Sequence, residues 1–339
     1  MKMVLPLFWV AVSFGQTWVS QAGGTSASLR GVSAWNAKVV WASGSGGTWL
    51  RTVDGGLNWH AATVPGAEDL DFRGVRAIDD RTAYLMSSGP GEKSRVFKTT
   101  DAGSHWTLLF TNPDAGGFFD AIAFWDARRG IIAGDPVDGH FAIFTTEDEG
   151  RNWLRRQTPP ALPNEGSFAA SNSCLVVLGT RDAWVATGGA STARIMHSKN
   201  GGQDWAVAAT PVRSDGASSG IFSLAFSGNG FSGKRRGIAV GGDYTKDTET
   251  RQNIAVTSDG GRTWEATGSA GPNGFRSAVA YLAERKMWLA TGTSGSDIST
   301  DNGKVWKQFD AGPYNALSEV SGQVWAVGPK GRIGALRVE

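Results

Sequence analysis

The chain has 339 residues, of which 40% are hydrophobic and 19% are charged, and it contains 47 glycines and 15 tryptophans. Its 33 basic and 31 acidic residues give a net charge of +2, so no electrostatic bias favours nucleic acid or an anionic membrane surface. Many glycines and aromatic residues without a long helical pattern indicate short strands joined by tight turns. The composition therefore favours an all-β protein that does not bind nucleic acid.

The first 15 residues resemble an export signal. Lys2 precedes an apolar stretch that ends at Gly15 and is too short to span a bilayer. The small residues Ser13 and Gly15 suit cleavage before Gln16. We therefore predict a signal peptide over residues 1–15, a periplasmic or secreted location, and no membrane insertion once the signal is removed. The alternative is that this stretch forms a buried first strand.

One eight-residue phrase occurs six times, with the pattern Thr/Ser-x-Asp/Asn-x-Gly-x-x-Trp. The copies span residues 52–59, 99–106, 146–153, 198–205, 257–264 and 299–306. Successive copies are about 40 to 60 residues apart, which is the period of a repeat protein built from supersecondary units. Such units cannot bury their apolar faces without neighbours. The repeat therefore predicts an array of small packed sheets.

Four strands recur in the same order within each period. The first is an apolar strand such as Leu29–Ala34 or Phe72–Ala77, and the second ends in small residues, as in Val40–Gly44. The third strand enters the phrase and the fourth leaves it. Four short strands in a period of this length are typical of a propeller blade.

The blade count is seven, and the two ends of the chain share the last blade. Three further strands follow the sixth phrase, at Ala316–Val320, Val324–Gly328 and Gly331–Leu336. The missing fourth strand is Gln16–Ser20, which resembles the end of a phrase. We predict an all-β fold in which residues 16–339 form one domain, a seven-bladed β-propeller of four-stranded blades closed by the N-terminal strand. Closure removes the exposed sheet edges of an open array.

The phrase itself is predicted to be structural. Its Asp or Asn accepts backbone N–H bonds in the turn, its Gly adopts a positive φ, and its Trp packs on the neighbouring sheet. The phrase resembles the Asp-box, or BNR repeat, of sialidases, where it lies away from the ligand. The six phrases, with the openings Phe72-Arg-Gly-Val75 and Phe275-Arg-Ser-Ala-Val279, are similar to the photosystem II stability/assembly factor-like propellers. That resemblance implies a non-enzymatic assembly module that binds a protein client through a basic surface.

A candidate site lies on the face opposite the phrases. Loops of an up-and-down blade alternate between the two faces, so the residues that open the first strands converge on the channel mouth. Across the blades these positions hold Arg30, Arg73, Asp120, Ala169, Ser223, Arg276 and Asn315. The loops after the second strands of blades three and five add Asp135, Asp243 and Tyr244, and loops on a rigid scaffold often carry binding residues.

We predict that a protein segment or an acidic small ligand binds to eight of these residues. They are Arg30, Arg73, Asp120, Asp135, Asp243, Tyr244, Arg276 and Asn315. In the alternative interpretation, Asp135 and Asp243 only cap turns, and the two arginines of blades one and two pair with Asp120. We expect a monomer.

Enzyme activity is an open alternative. The resemblance to sialidases implies a glycoside hydrolase or lyase acting on an acidic sugar, in which Arg30, Arg73 and Arg276 clamp a carboxylate. Tyr314 would be the nucleophile and Asp120 or Asp135 the acid. The Phe/Tyr-Arg-Ile-Pro opening of sialidases is absent, however, and sialidases typically have six blades.

No cofactor is expected. The glycine-rich segments do not precede predicted helices. They therefore do not fit a nucleotide-binding fingerprint, which requires a helix after the glycines. The four histidines are scattered and the chain has a single cysteine, so no transition-metal motif is present and we predict no metal. A hard cation held by Asp135, Asp138, His140 and Asp243 is the remaining alternative.

Overall fold

A computed structural model of the protein describes residues 15–228, 235–268 and 271–338. The predicted export signal, apart from Gly15, lies outside these residues. The described chain forms 27 strands in seven antiparallel sheets, with two short 3-10 helices at Gly91–Lys93 and Ala283–Arg285.

The first four blades each contain four strands. Blade one consists of β2 Leu29–Ala34, β3 Val40–Gly44, β4 Thr48–Thr52 and β5 His60–Thr63. Blade two consists of β6 Phe72–Ala77, β7 Ala83–Ser87, β8 Arg95–Thr99 and β9 Thr107–Thr111. Blade three consists of β10 Phe119–Phe124, β11 Gly130–Val137, β12 His140–Thr146 and β13 Leu154–Arg156. Blade four consists of β14 Leu175–Leu178, β15 Asp182–Ala186, β16 Arg194–Ser198 and β17 Ala206–Ala209.

The remaining three blades include one departure from the prediction. Blade five has three strands, β18 Ser219–Phe226, β19 Gly237–Asp243 and β20 Ile254–Thr257. A single bridge between Val256 and Glu265 stands in place of its fourth strand. Blade six consists of β21 Ala278–Leu282, β22 Met287–Gly292, β23 Gly295–Ser299 and β24 Lys307–Asp310. Blade seven consists of β25 Ala316–Val320, β26 Gln323–Val327, β27 Arg332–Val338 and β1 Gln16–Ala22.

The blades form a closed ring around their first strands. Each of β2, β6, β10, β14, β18, β21 and β25 contacts the next, and β25 contacts β2. The N-terminal strand β1 pairs antiparallel with β27, from Gln16 opposite Val338 to Ala22 opposite Arg332. The predicted seven-bladed β-propeller, with the last blade completed by the N-terminal strand, is confirmed.

Large side chains of the second strands fill the space between neighbouring blades. Trp41, Trp184, Trp288 and Trp325 are at most 1% exposed. One apolar cluster runs through blades three, four and five without interruption. Truncating a buried aromatic side chain of this size typically costs about 3–5 kcal/mol, so contacts between the blades hold the ring together.

Each phrase folds as a self-contained turn between the third and fourth strands. In blade three the Thr146 hydroxyl donates to Asp148 Oδ1 at 2.9 Å and accepts the Gly150 N–H at 3.0 Å, while Asp148 Oδ1 accepts the Asn152 N–H at 2.9 Å. The same three bonds occur in all six copies. The phrase glycines have φ between 81° and 93°, a region that favours glycine. The predicted structural role of the phrase follows from these bonds.

Acid should destabilise the protein through these turns. The backbone N–H of Asn58, its side chain and the Thr52 hydroxyl lower the pKa of Asp54 to about 2. The Asn152 side chain and backbone N–H likewise lower the pKa of Asp148 to about 2. An unfolded Asp titrates near pH 3.9, so the stabilisation is present above that pH and is lost as the pH falls from about 4 to about 2.

The variant Asp54→Asn/Asp148→Asn tests this, because Asn200 occupies the same place naturally and its Oδ1 accepts the Asp204 N–H at 3.0 Å. We expect its melting temperature to fall less than that of the wild type over this pH range, as measured by thermal unfolding. Parallel loss of stability in the two proteins would contradict the assignment.

Candidate functional site

A cavity of about 470 Å³ lies at the centre of the ring, where the first strands begin. Six of the eight predicted site residues line it, namely Arg30, Arg73, Asp120, Asp135, Tyr244 and Asn315. A cleft of about 500 Å³ lies between blades four and five beside the fourth phrase. A similar cleft of about 310 Å³ occurs beside the first phrase. We attribute these two clefts to the spacing of the blades and take the central cavity as the candidate site.

A recurring β-bulge places side chains in this cavity. The pairing of the first with the second strand is interrupted between Leu29 and Gly31, and at equivalent points in blades two, three and five. The residues at the four interruptions are Arg30, Arg73, Asp120 and Phe222, and all four line the cavity. A bulged residue leaves the hydrogen-bonded ladder, which re-aims its side chain. The bulge therefore gives the cavity one side chain from each of these blades.

Arg276 does not line the cavity, contrary to the prediction. The opening Phe275–Val279 has one residue more than Phe72–Val75, and this extra residue shifts the register of blade six. Ser277 consequently lines the cavity, and Arg276 lies one position earlier, where it is 0% exposed.

Arg276 instead forms a buried ion pair. Its Nη2 lies 2.5 Å from Asp297 Oδ2, and Nε donates to the same oxygen at 2.6 Å. Nη1 donates to the Phe275 carbonyl and the Ser294 hydroxyl, and Nη2 donates to the Asn273 carbonyl. Burial lowers the pKa of Arg276, and the charge of Asp297 opposes that shift. Its role is structural.

Ser223, predicted at the channel mouth, lies one position after the bulged residue of blade five. It is 0% exposed, and its hydroxyl accepts the Val279 N–H at 2.9 Å. Phe222 takes the bulged position. Gly241 pairs with Ile221 as Gly44 pairs with Leu29, so Phe222 is the residue of blade five equivalent to Arg30.

The two arginines of the cavity are not equally paired. Arg73 Nε donates to Asp71 Oδ2 at 2.7 Å, and its Nη1 donates to the Ala169 carbonyl at 3.3 Å. Arg30 Nε is buried and has no hydrogen-bond partner among the described residues. Burial, and then the charge of Arg73, lower the pKa of Arg30. The alternative interpretation paired both arginines with Asp120, whereas Arg73 is bonded to Asp71, a partner that the sequence analysis did not identify.

The acidic residues of the cavity contribute less negative charge than their number suggests. Asp120 is 1% exposed, and its Oδ2 has no hydrogen-bond partner within the described part of the chain. Its burial and the nearby Asp135 raise its pKa well above the usual value. Burial also raises the pKa of Asp135, whose Oδ1 accepts the Ser167 N–H at 2.9 Å. Both shifts favour the neutral, protonated carboxyl.

Asp243 lies outside the cavity lining. Its Oδ1 accepts the Thr245 N–H at 3.0 Å and the Thr245 hydroxyl at 2.7 Å, so it caps the turn as the alternative interpretation proposed. The next residue, Tyr244, is 52% exposed at the rim of the cavity. Asn315, just before blade seven, donates from Nδ2 to the Leu29 carbonyl at 2.8 Å and links blade seven to blade one.

An aromatic wall, formed by Phe168, Phe222, Phe275 and Tyr244, was not predicted apart from Tyr244. Phe168 stacks on Phe222 at 3.8 Å between ring centroids, and Phe275 meets Phe222 edge-on at 4.6 Å. Tyr244 also approaches Phe222 edge-on, at 6.1 Å.

Two glycines make room for this wall. A Cβ on Gly188 would lie 2.5 Å from the Gly220 Cα and 2.7 Å from Phe168 Cε2, and a Cβ on Gly220 would lie 2.4 Å from the Gly188 Cα and 2.8 Å from Phe168 Cε2. The two glycines also form a β-bridge with each other. No local sequence pattern marks this contact, because it joins separate segments of the chain.

The sialidase-like constellation does not form. Tyr314 is 3% exposed, packs against Trp18 at 5.1 Å and lies outside the cavity lining, while Arg276 is withdrawn into its ion pair. Burial raises the pKa of Tyr314, which opposes a nucleophilic role. Among residues 15–228, 235–268 and 271–338, no group of three or more His, Cys, Asp or Glu side chains is placed to hold a metal ion. In the same ranges no helix is long and apolar enough to cross a membrane.

The fold and the cavity define a seven-bladed β-propeller with a mixed cationic and aromatic pocket at its centre. The chain is similar in fold to two structures of the photosystem II assembly factor YCF48. One is YCF48 bound to D1 peptide, with a TM-score of 0.63, 18% identity, and coverage of 96% of this chain and 99% of that chain. The other is YCF48 from Cyanidioschyzon merolae, with a TM-score of 0.63, 17% identity, and coverage of 94% and 98%. The resemblance to this group of propellers is thereby confirmed at the level of the fold.

Sequence comparison adds little to this. The vacuolar protein sorting/targeting protein 10 of Schizosaccharomyces japonicus is 29% identical over 75 residues. That match covers 22% of this chain and only 5% of the yeast protein. No protein-family model matches the chain.

Replacing Arg276 should affect stability and not ligand capture. Removing one partner of a buried ion pair typically costs about 3–5 kcal/mol, because the other charge is left uncompensated. We therefore expect Arg276→Ala to lower the free energy of unfolding by several kcal/mol in urea denaturation. Arg30→Ala is the matched control, since it removes a buried Nε with no partner, and we expect little or no loss. Equal losses in the two variants would contradict this contrast.

Proposed function

We propose that the protein is a non-catalytic binding module that receives a segment of a partner protein in the central cavity. Arg30, supported by Arg73, would bind a carboxylate of that segment. The observation that carries this proposal is the buried Arg30 Nε, which has no hydrogen-bond partner among the described residues. An unmade hydrogen bond of a buried donor costs about 1–3 kcal/mol, and an incoming carboxylate would remove that cost. Guanidinium groups bind carboxylates with two parallel hydrogen bonds.

The charges of the cavity support an anionic ligand group. Asp71 lies near both Arg30 and Arg73 and forms its ion pair with Arg73. The raised pKa values of Asp120 and Asp135 favour their neutral forms. Both shifts weaken the negative charge beside the arginines, and electrostatic attraction in a partly buried space is stronger than in bulk water.

The dimensions of the site and the structural comparisons support a protein segment. The cavity of about 470 Å³ falls within the range of about 300–1,000 Å³ typical of ligand sites. One of the structures with a similar fold is YCF48 bound to D1 peptide, so a propeller of this kind can receive a peptide.

A peptide-binding experiment tests the proposal. Random dodecapeptides displayed on phage are selected against the immobilised full chain, and enriched peptides are synthesised and titrated by calorimetry. A charge-assisted hydrogen bond contributes about 1.5–3 kcal/mol, so we expect Arg30→Ala to weaken their binding about tenfold or more. The control is Arg285→Ala, an exposed arginine between β21 and β22 on the opposite face, which should not change it. If Arg30→Ala binds every enriched peptide as tightly as the wild type, the cavity is not the site.

We also propose that the protein is exported and acts as a monomer in the periplasm or outside the cell. The sequence of residues 1–15 supports export. When the full chain is produced in a bacterium and recovered from the periplasm or medium, its N-terminus should be Gln16, as measured by mass spectrometry of the intact protein. Recovery only from the cytoplasm, with residues 1–15 retained, would contradict export.

A further inference from the structure

We propose that the cavity selects a segment in which an Asp or Glu stands directly beside an aromatic residue in the sequence. This inference rests on the proposed function and specifies its ligand. The observation behind it is that the cavity lining has two chemically different arcs, one with the arginines and one with the aromatic wall.

The two arcs lie across the ring from each other. Arg30 and Arg73 come from the neighbouring blades one and two. Arg73 Nη1 reaches the Ala169 carbonyl next to Phe168, so Arg30 is the cationic group that defines the arc away from the aromatic wall. The aromatic wall comes from blade five and from the segments that lead into blades four and six. In a ring of seven blades, blade five lies on the far side from blades one and two. A ligand that fills the cavity must therefore present an anionic group to one side and an apolar surface to the other.

Three hydroxyl groups next to the aromatic wall already donate their protons within the protein. The Ser167 hydroxyl donates to the Ala186 carbonyl at 2.8 Å, and the Ser277 hydroxyl donates to the Asn315 carbonyl at 2.8 Å. Thr293 Oγ1 donates to Asp247 at 3.1 Å. A sugar placed against this wall would leave its hydroxyl groups with few partners, which is unfavourable on burial. An aromatic side chain needs none and gains stacking or edge-on contacts.

The direct adjacency of the two groups follows from backbone geometry. Successive side chains of an extended segment point to opposite sides, whereas residues i and i+2 point to the same side. A segment that enters the channel mouth can therefore place one side chain against Arg30 and the next one against Phe222. Two groups separated by one residue would both face the same arc.

The peptides enriched by selection on the wild-type chain provide the test. We expect an Asp or Glu directly beside Phe, Tyr or Trp. In calorimetry of one such peptide, replacing the aromatic residue by Ala should weaken binding about tenfold, and replacing the acid by its amide should have a similar effect. Inserting one Gly between the two residues keeps both groups and should weaken binding to a similar extent.

Two protein variants test whether the aromatic side chain of the peptide contacts the aromatic wall. Tyr244→Ala removes a side chain that is 52% exposed, and Phe168→Leu keeps an apolar side chain without the ring. In each of these protein variants, replacing the aromatic residue of the peptide by Ala should weaken binding only about twofold or threefold, while replacing the acid should still weaken it about tenfold. In Arg30→Ala, replacing the acid should have the smaller effect and replacing the aromatic residue the larger one. Circular dichroism would verify that both wall variants keep the wild-type fold.

The possible failures are distinguishable. Peptides that depend on the acid and on Arg30 but show no aromatic preference would overturn this inference and leave the proposed function intact. Binding that is indifferent to Arg30→Ala would overturn both. N-acetylneuraminic acid, titrated in parallel, should bind more weakly than the enriched peptides. Tighter binding of that sugar, abolished by Arg30→Ala, would overturn the choice of a protein segment.

Discussion

A propeller blade has two apolar faces, and only its neighbours in the ring can cover them. The whole structure depends on this constraint. The buried tryptophans of the second strands lie between sheets, so a blade without neighbours would expose them to water. Pairing of β1 with β27 closes the ring and leaves no blade at an open end. The single cysteine is free, so no intramolecular disulfide cross-links the blades. Closure of the ring holds them together instead.

On this rigid ring, the face that carries the phrases and the face that carries the central cavity have different roles. In all six phrases the Thr or Ser hydroxyl and the Asp or Asn side chain form hydrogen bonds within the turn, as Thr146 and Asp148 do, so these side chains stabilise the scaffold. In the central cavity, two charged side chains of opposite sign each have a buried atom without a partner among the described residues, Arg30 Nε and Asp120 Oδ2. Buried polar groups are nearly always paired, so an unpaired one in a cavity of ligand size is a candidate contact for a ligand. The proposed function rests on Arg30 Nε together with the volume of the cavity that it lines.

Much of the fold could be predicted from the chain alone. The first strands Leu29–Ala34 and Phe72–Ala77 begin and end where the pattern placed them, because alternating burial and terminal glycines are local signals. The candidate site was predicted less completely. Arg30, Arg73 and Asn315 line the cavity, but Arg276 does not, because one additional residue in the opening of blade six displaces it from the bulge.

The sequence by itself determined the number of blades, the turn that joins their outer strands and the strand that closes the ring. These features depend on hydrogen bonds and side-chain periodicity over a few residues, repeated six or seven times. Only the tertiary structure decided which side chains face the cavity and how they are paired. The register of each bulge depends on the partner strand, the pairing of Arg73 with Asp71 depends on side-chain placement, and Phe168 depends on the close approach of Gly188 to Gly220. The aromatic wall, and with it the chemical identity of the site, arises from contacts between segments that are far apart in the chain.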